Sequence, residues 1–178
     1  ADTVVAAPAR LVTVTAQAVD AHPMVFLRQA QGRPRGFWAR GDRWVAHSGA
    51  VATLSVDGDA SVERFGAIET EARELFEGLT VKGDEEGAPS RFYGGFSFRS
   101  DHSAVDLWAG FTPALFYLPE FELEGGGLRP PRLTARALVG PDDGEADRAL
   151  RLLLTRAQRI AEGLGEPSGA ASGPPPPT

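Results

Sequence analysis

Between Arg10 and Ala18 the side chains alternate, with Leu11, Thr13, Thr15 and Gln17 set against Val12, Val14, Ala16 and Ala18. A period of two is that of a half-buried strand. "MVFLRQAQ" follows after "DAHP" and is taken as the next strand, with Pro34 and Gly36 punctuating the turn beyond it. "GFWAR" (Gly36 to Arg40) and "RWVAHSGAVATLSV" (Arg43 to Val56) then face each other across Gly41-Asp42, a two-residue hairpin signal flanked by Trp38 and Trp44. The first third is expected to be an antiparallel meander.

After Asp57-Gly58-Asp59 the period lengthens. Val62, Phe65, Ile68, Ala72, Leu75, Phe76 and Leu79 recur at helical spacing, which predicts an amphipathic helix from Ser61 to Leu79 with Asp59 or Ser61 as its N-cap. "VKGDEEGAPS" reads as a polar surface loop, and strands return at "RFYGGFSF", "ALFYLPEFELE" and "RLTARALVG". Pro119 inside the second of these points to an edge strand or a bulge, because proline cannot donate to a ladder. A second helix runs from Asp143 to Leu164, with Ala146, Leu150, Leu153, Leu154, Ala157, Ile160 and Leu164 on one face. Asp142 and Glu145 stand at capping-box spacing before it. Strands, helix, strands, helix predicts an α+β fold on antiparallel sheet, with two main amphipathic helices.

The chain divides into an α+β domain over residues 1–165 and a Gly/Ser/Pro-rich linker or tail over 166–178. "GEPSGAASGPPPPT" holds no apolar residue larger than alanine, so burial cannot offset the entropy of ordering it. The formal net charge of −6 and the scatter of the 18 basic residues exclude a nucleic-acid partner on this reading, since phosphate contact needs a basic face. No apolar run reaches bilayer length, so no membrane partner is expected. "ADTVVAAPAR" lacks the charged and apolar regions of a signal peptide. With no cysteine in the chain, thiolate catalysis and disulfides drop out, and a cytoplasmic location is expected.

Candidate chemistry is sparse. His22, His47 and His102 are far apart, and none has a second ligand at metal-binding spacing. Ser48 follows His47, but neighbours on a strand point to opposite faces, which spoils them as nucleophile and base. "DGD" at Asp57 to Asp59 lacks the later ligands of a calcium loop, "EGGGL" lacks the spacing of a phosphate loop, and Asp84, Glu85 and Glu86 read as a solvated run. Lys82 is the sole lysine and therefore the one candidate amine base. Its loop, "VKGDEEG", gives no reason to promote it. No catalytic, cofactor-binding or metal-binding residue is assigned.

The most aromatic stretch is Arg91 to Gly126, where Phe92, Phe96 and Phe98 flank Gly94-Gly95, and Trp108 and Phe111 lead into "ALFYLPEFELE". Only glycine lets another backbone or a ring approach so closely, so this reads as an aromatic core. A pocket lined by Tyr93, His102 and Trp108 is the weaker alternative. "FYGGFSF", a spacer with "LW", and "FTPALFYLPEFEL" resemble the segment in the non-catalytic N-terminal half of menaquinone-type isochorismate synthases, within the chorismate-binding family that includes anthranilate and salicylate synthases. The hairpin "GFWARGDRWVAHSGAVATL" is similar to one in that family. The order of elements follows it from Leu11 to Leu164, while Phe92 to Leu123 is the specific block.

The resemblance implies a magnesium-dependent enzyme that isomerises chorismate to isochorismate, for menaquinone or siderophore biosynthesis. In the family a lysine acts as base for water attack, a glutamate protonates the departing hydroxyl, and further glutamates hold Mg2+ against the substrate carboxylate. Those groups lie in the C-terminal half, and none has a matching position here. The expectation is therefore an N-terminal domain, inactive alone and binding no Mg2+ itself, whose partner is a C-terminal chorismate-binding domain on the same or a separate chain. A face of its sheet should then be apolar and exposed. The alternative is a stand-alone binding or regulatory module of the same fold that pairs with a separate chorismate-binding chain.

Overall fold

The computed structural model describes residues 9–56, 63–83, 89–98 and 112–165. In chain order the elements are β1 (Arg10–Gln17), α1 (Pro23–Gln29), β2 (Arg35–Arg40), β3 (Arg43–Ser48), β4 (Ala52–Val56) and α2 (Arg64–Glu77). They continue as β5 (Thr80–Gly83), β6 (Tyr93–Phe96), β7 (Ala114–Leu118), β8 (Phe121–Gly125), β9 (Arg132–Val139) and α3 (Asp143–Glu162). The fold is α+β, as the pattern predicts, but the strands form two sheets. A six-stranded sheet has the order β2-β3-β8-β9-β1-β5, and a three-stranded sheet has the order β4-β7-β6. All pairings are antiparallel except that of β1 with β5, which is parallel.

The larger core lies on one face of the six-stranded sheet. Val12, Val14 and Ala16 of β1, Leu133 and Ala135 of β9, and Phe121 and Leu123 of β8 pack there with Ala146, Leu153, Ala157 and Ala161 of α3. That helix begins where the capping signal places it: the Asp142 side chain accepts from the Glu145 amide at 2.9 Å. Its apolar face is shifted slightly from the expected one, with Ala161 buried and Leu154 39% exposed. The smaller core joins α2 to the three-stranded sheet through Leu54, Ile68 and Ala114, with Phe92, Phe96 and Phe116 packed around them. Arg64 at the start of α2 reaches Ser97 beyond β6, by Nη1 to Oγ at 3.2 Å and Nη2 to the carbonyl at 3.1 Å.

Several expectations are corrected. "MVFLRQAQ" is not a strand: Pro23 opens α1, whose N-cap His22 accepts from the Met24 amide through Nδ1 at 3.2 Å. Proline at the first turn suits a helix, and apolar residues over a single turn resemble a short strand. The meander is broken as well, because β1 pairs with β9 and β5 and never meets β2. Arg43 to Val56 is two strands, one in each sheet, separated at Gly49 to Val51. "ALFYLPEFELE" divides in the same way at the buried Pro119, which marks a change of sheet between β7 and β8 in place of an edge or bulge. Lys82 lies in β5 and not in a loop. α2 starts at Arg64 with Glu63 at its cap and no side-chain cap bond, and the proposed caps Asp59 and Ser61 fall outside the described residues. Residues 166–178 and the acidic run Asp84 to Glu86 lie outside them too.

Both faces of the central strands are buried. Phe121, Glu122 and Leu123 in succession, and Leu133, Thr134, Ala135 and Arg136, are each 2% exposed or less. Among the described residues, no apolar face is exposed on these central strands.

Candidate functional site

The second face of the six-stranded sheet is polar. Its register sets His47 opposite Glu122, Glu122 opposite Thr134, and Thr134 opposite Thr15, so one row of polar side chains crosses β3, β8, β9 and β1. The two threonine hydroxyls approach to 3.4 Å. Arg136 lies two residues beyond Thr134 on the same face, directly across from Thr13.

Glu122 is the centre of this row and is fully buried. Arg136 Nη1, also buried, donates to its Oε2 at 3.1 Å, and Arg91 Nη2 pairs with its Oε1 at 3.0 Å. Two guanidiniums thus hold one carboxylate, an arrangement that suits the planar fork of arginine. Arg91 also reaches Glu124 at 3.3 Å, and Arg132 meets the same carboxylate at 3.2 Å. Arg136 Nη2 donates to the Pro89 carbonyl at 3.4 Å. Since Arg91 and Pro89 belong to the segment entering β6, these contacts join the two sheets. Removing one member of the fully buried Glu122–Arg136 pair leaves an uncompensated charge, which costs about 3–5 kcal/mol.

Tyr93, the first residue of β6, brings the second sheet onto His47. The two rings stack with centroids 4.3 Å apart and planes 20° from parallel. Gly36 of β2 stands opposite His47, and a Cβ there would lie 2.4 Å from the imidazole Nε2, so glycine makes room for the ring. The His47 Nδ1 is buried with no hydrogen-bond partner among the described residues. Burial holds the imidazole below its ordinary value. Burial also pushes the Tyr93 phenol well above its usual range, and the charge of Glu122 adds to that shift. The row therefore presents a neutral imidazole stacked on a neutral phenol beside a clamped carboxylate. The two ion pairs on Glu122 tie the sheets together, while its Oε1, near Arg91 Nη2, accepts no hydrogen bond among the described residues.

Near the far end of these strands, an open groove of about 680 Å³ lies between the β2–β3 and β8–β9 hairpin ends. Arg43, Trp44, Glu124, Arg129 and Arg132 are among its lining residues, so the Arg91–Glu124–Arg132 chain runs from the buried row to its rim.

The residues weighed in the sequence do not gather at either place. His22 caps α1, and His102 and Trp108 lie outside the described residues. His47 is half-buried on one face while Ser48 is buried, consistent with their opposite directions on the strand. Lys82 pairs with Asp147 of α3 at 2.7 Å, on the outer flank of the sheet. The Glu122–Arg136 clamp was missed by sequence reasoning, although "FELE" and "RLTAR" do carry the signal: charges at positions whose neighbours alternate as buried strand. Among the described residues no three His, Asp or Glu side chains converge on a point that would hold a metal, so the donors there do not fit Mg2+.

None of the curated proteins matches the chain. A family described as chorismate binding enzyme matches residues 4–171, nearly the whole length, with both sheets and all three helices inside the match. The chain belongs to the chorismate-binding enzyme family.

Proposed function

We propose that this chain is the N-terminal, non-catalytic portion of an isochorismate synthase, and that the chemistry resides on a C-terminal chorismate-binding half. The observation that carries the reading is the placement of Lys82. The reaction needs an amine base near the substrate, and the sole lysine is bound to Asp147 on the outside of the sheet, away from the buried row. The resembling block supports the same role, for it builds β6, β7 and β8 and carries the chain from one sheet to the other. Mg2+ would be held by the other half, between its glutamates and the substrate.

The test is a chorismate assay of the purified chain with Mg2+, followed by addition of the separately expressed chorismate-binding half of a menaquinone-type isochorismate synthase. No isochorismate is expected from the chain alone, and complex formation is expected on mixing. Magnesium-dependent turnover by the chain alone, abolished in Lys82→Ala, would overturn the assignment. The intact mass of the native protein distinguishes the stand-alone module from a longer chain. A mass far above 18.9 kDa places the catalytic half downstream.

A further inference from the structure

We propose that the free edge of β2 is a docking strip for an extended acidic strand of a partner chain. The inference concerns the kind of strand this edge accepts and does not depend on the reaction proposed above.

β2 closes one end of the six-stranded sheet, so among the described residues its outer side meets no strand and presents unpaired backbone groups. All of its residues except Gly36 are exposed, with Phe37 at 49% and Trp38 at 54%. Exposed edges are normally blunted by charges, bulges or proline, and β2 has no bulge or proline between Arg35 and Arg40 and carries charge only at those two ends. Its turn into β3 is tight, with Gly41 at φ 61°, and its register to β3 is unbroken from Arg35 to Arg40. The strip is thus regular, rigidly backed and apolar at its middle. Such a surface takes a strand by main-chain pairing.

Charge selects the occupant. The chain carries a net charge of −6, yet residues 21–56 hold Arg28, Arg33, Arg35, Arg40 and Arg43 against Asp42 alone. Arg33 is bound to Glu120, and Arg35 Nη1 donates to the Leu27 carbonyl at 2.5 Å. Arg40 and Arg43 make no ion pair among the described residues. A second copy is a poor partner, since antiparallel pairing of two β2 strands in full overlap sets Arg35 of one copy opposite Arg40 of the other at both ends. Like charges directly opposite each other destabilise a ladder. An acidic strand meets the same arginines favourably. A single-stranded nucleic acid fits less well, because Phe37 and Trp38 are adjacent and point to opposite faces, so they form no common stacking platform.

The test uses the full chain and two charge variants in sedimentation experiments with hydrogen exchange. Arg40→Glu places a carboxylate opposite Arg35 at both ends of the two-fold pairing, so this variant is expected to dimerise about tenfold or more tightly than the wild type. The R35E/R40E variant should stay apart from itself and form heterodimers with the wild type, with amides of residues 35–40 protected only in the mixture. High salt should weaken both associations. A folded R40E variant that associates no better than the wild type would overturn the proposal. So would a wild-type dimer with residues 35–40 protected, which would make the second copy the occupant. Binding of oligothymidylate that Trp38→Ala weakens would overturn it in favour of nucleic acid.

Discussion

His47 gives up water to its stack with Tyr93, and that burial lowers its pKa from an ordinary 6.5. Below about pH 6.5 the unfolded chain therefore binds a proton at this site that the folded chain resists. The stability contributed by the neutral imidazole is full above that pH and is lost as pH falls toward the folded-state pKa. One such group contributes a slope of at most about 1.4 kcal/mol per pH unit. His47→Phe keeps an aromatic ring against Tyr93 and removes the titration, so its stability curve should be flatter than that of the wild type over this window. Urea midpoints measured at about pH 7.5, 6.5 and 5.5 check this. Parallel curves for the two proteins would mean that His47 is hydrated. Tyr93 acts in the opposite sense: its phenol is pushed above 10.0, so its contribution is present below that pH and lost as pH rises through the alkaline range. The two groups leave the stack neutral between those limits, where both of their contributions are present.

At the scale of the element, the Gly94-Gly95 pair separates into two different residues. A Cβ on Gly94 would come 2.0 Å from the Leu115 carbonyl oxygen and 2.6 Å from the Phe116 Cα, where β6 lies against β7, while a Cβ on Gly95 meets nothing within 4 Å. Gly94→Ala must push backbone aside and should cost about 1–3 kcal/mol, as overpacking does. Gly95→Ala should be nearly neutral, and equal losses in chemical denaturation would refute the difference. From the sequence both looked alike, because composition shows that a close approach exists and not which glycine makes it. The same limit explains the strands. β1, the β2–β3 hairpin, β9 and α3 were legible because each satisfies its pattern locally, through alternation, Gly41-Asp42, or Asp142 before an apolar stripe. The split into two sheets was not, since Pro119 and Gly49 act by redirecting the chain toward partners far away in sequence. The buried row was missed for a related reason: Glu122 and Arg136 look like surface charges until register sets them side by side.

The described residues of the molecule form two cores of unequal size, which sets their order of opening. The larger is closed over by α3 and contains the fully buried Val12, Ala46, Leu123, Leu133, Ala135, Ala146, Ala157 and Leu164. In the smaller, the buried hydrophobics among the described residues are Leu54, Ile68 and Ala114, and the helix that covers it leaves Phe65 52% and Phe76 37% exposed. Hydrophobic stabilisation scales with apolar area removed from water, so α2, β4, β6 and β7 should open at lower free energy than β1, β8, β9 and α3. Two ties oppose that opening: the Arg91–Glu122 pair and the Tyr93–His47 stack, both of which cross between the sheets. Arg91 is 40% exposed and keeps a second partner in Glu124, so losing the first tie leaves Glu122 with Arg136 and strands no bare buried charge. Native-state hydrogen exchange at increasing denaturant should accordingly resolve two units, with Leu54→Ala lowering the opening energy of both, because opening of β1 and β9 is global and includes the smaller core. Leu133→Ala, in the larger core, should lower the opening energy of β1 and β9 and leave that of the smaller unit unchanged, because the larger core is still intact when the smaller one opens. A single opening free energy shared by all strands, lowered equally by either substitution, would show that the two ties outweigh the difference in core size.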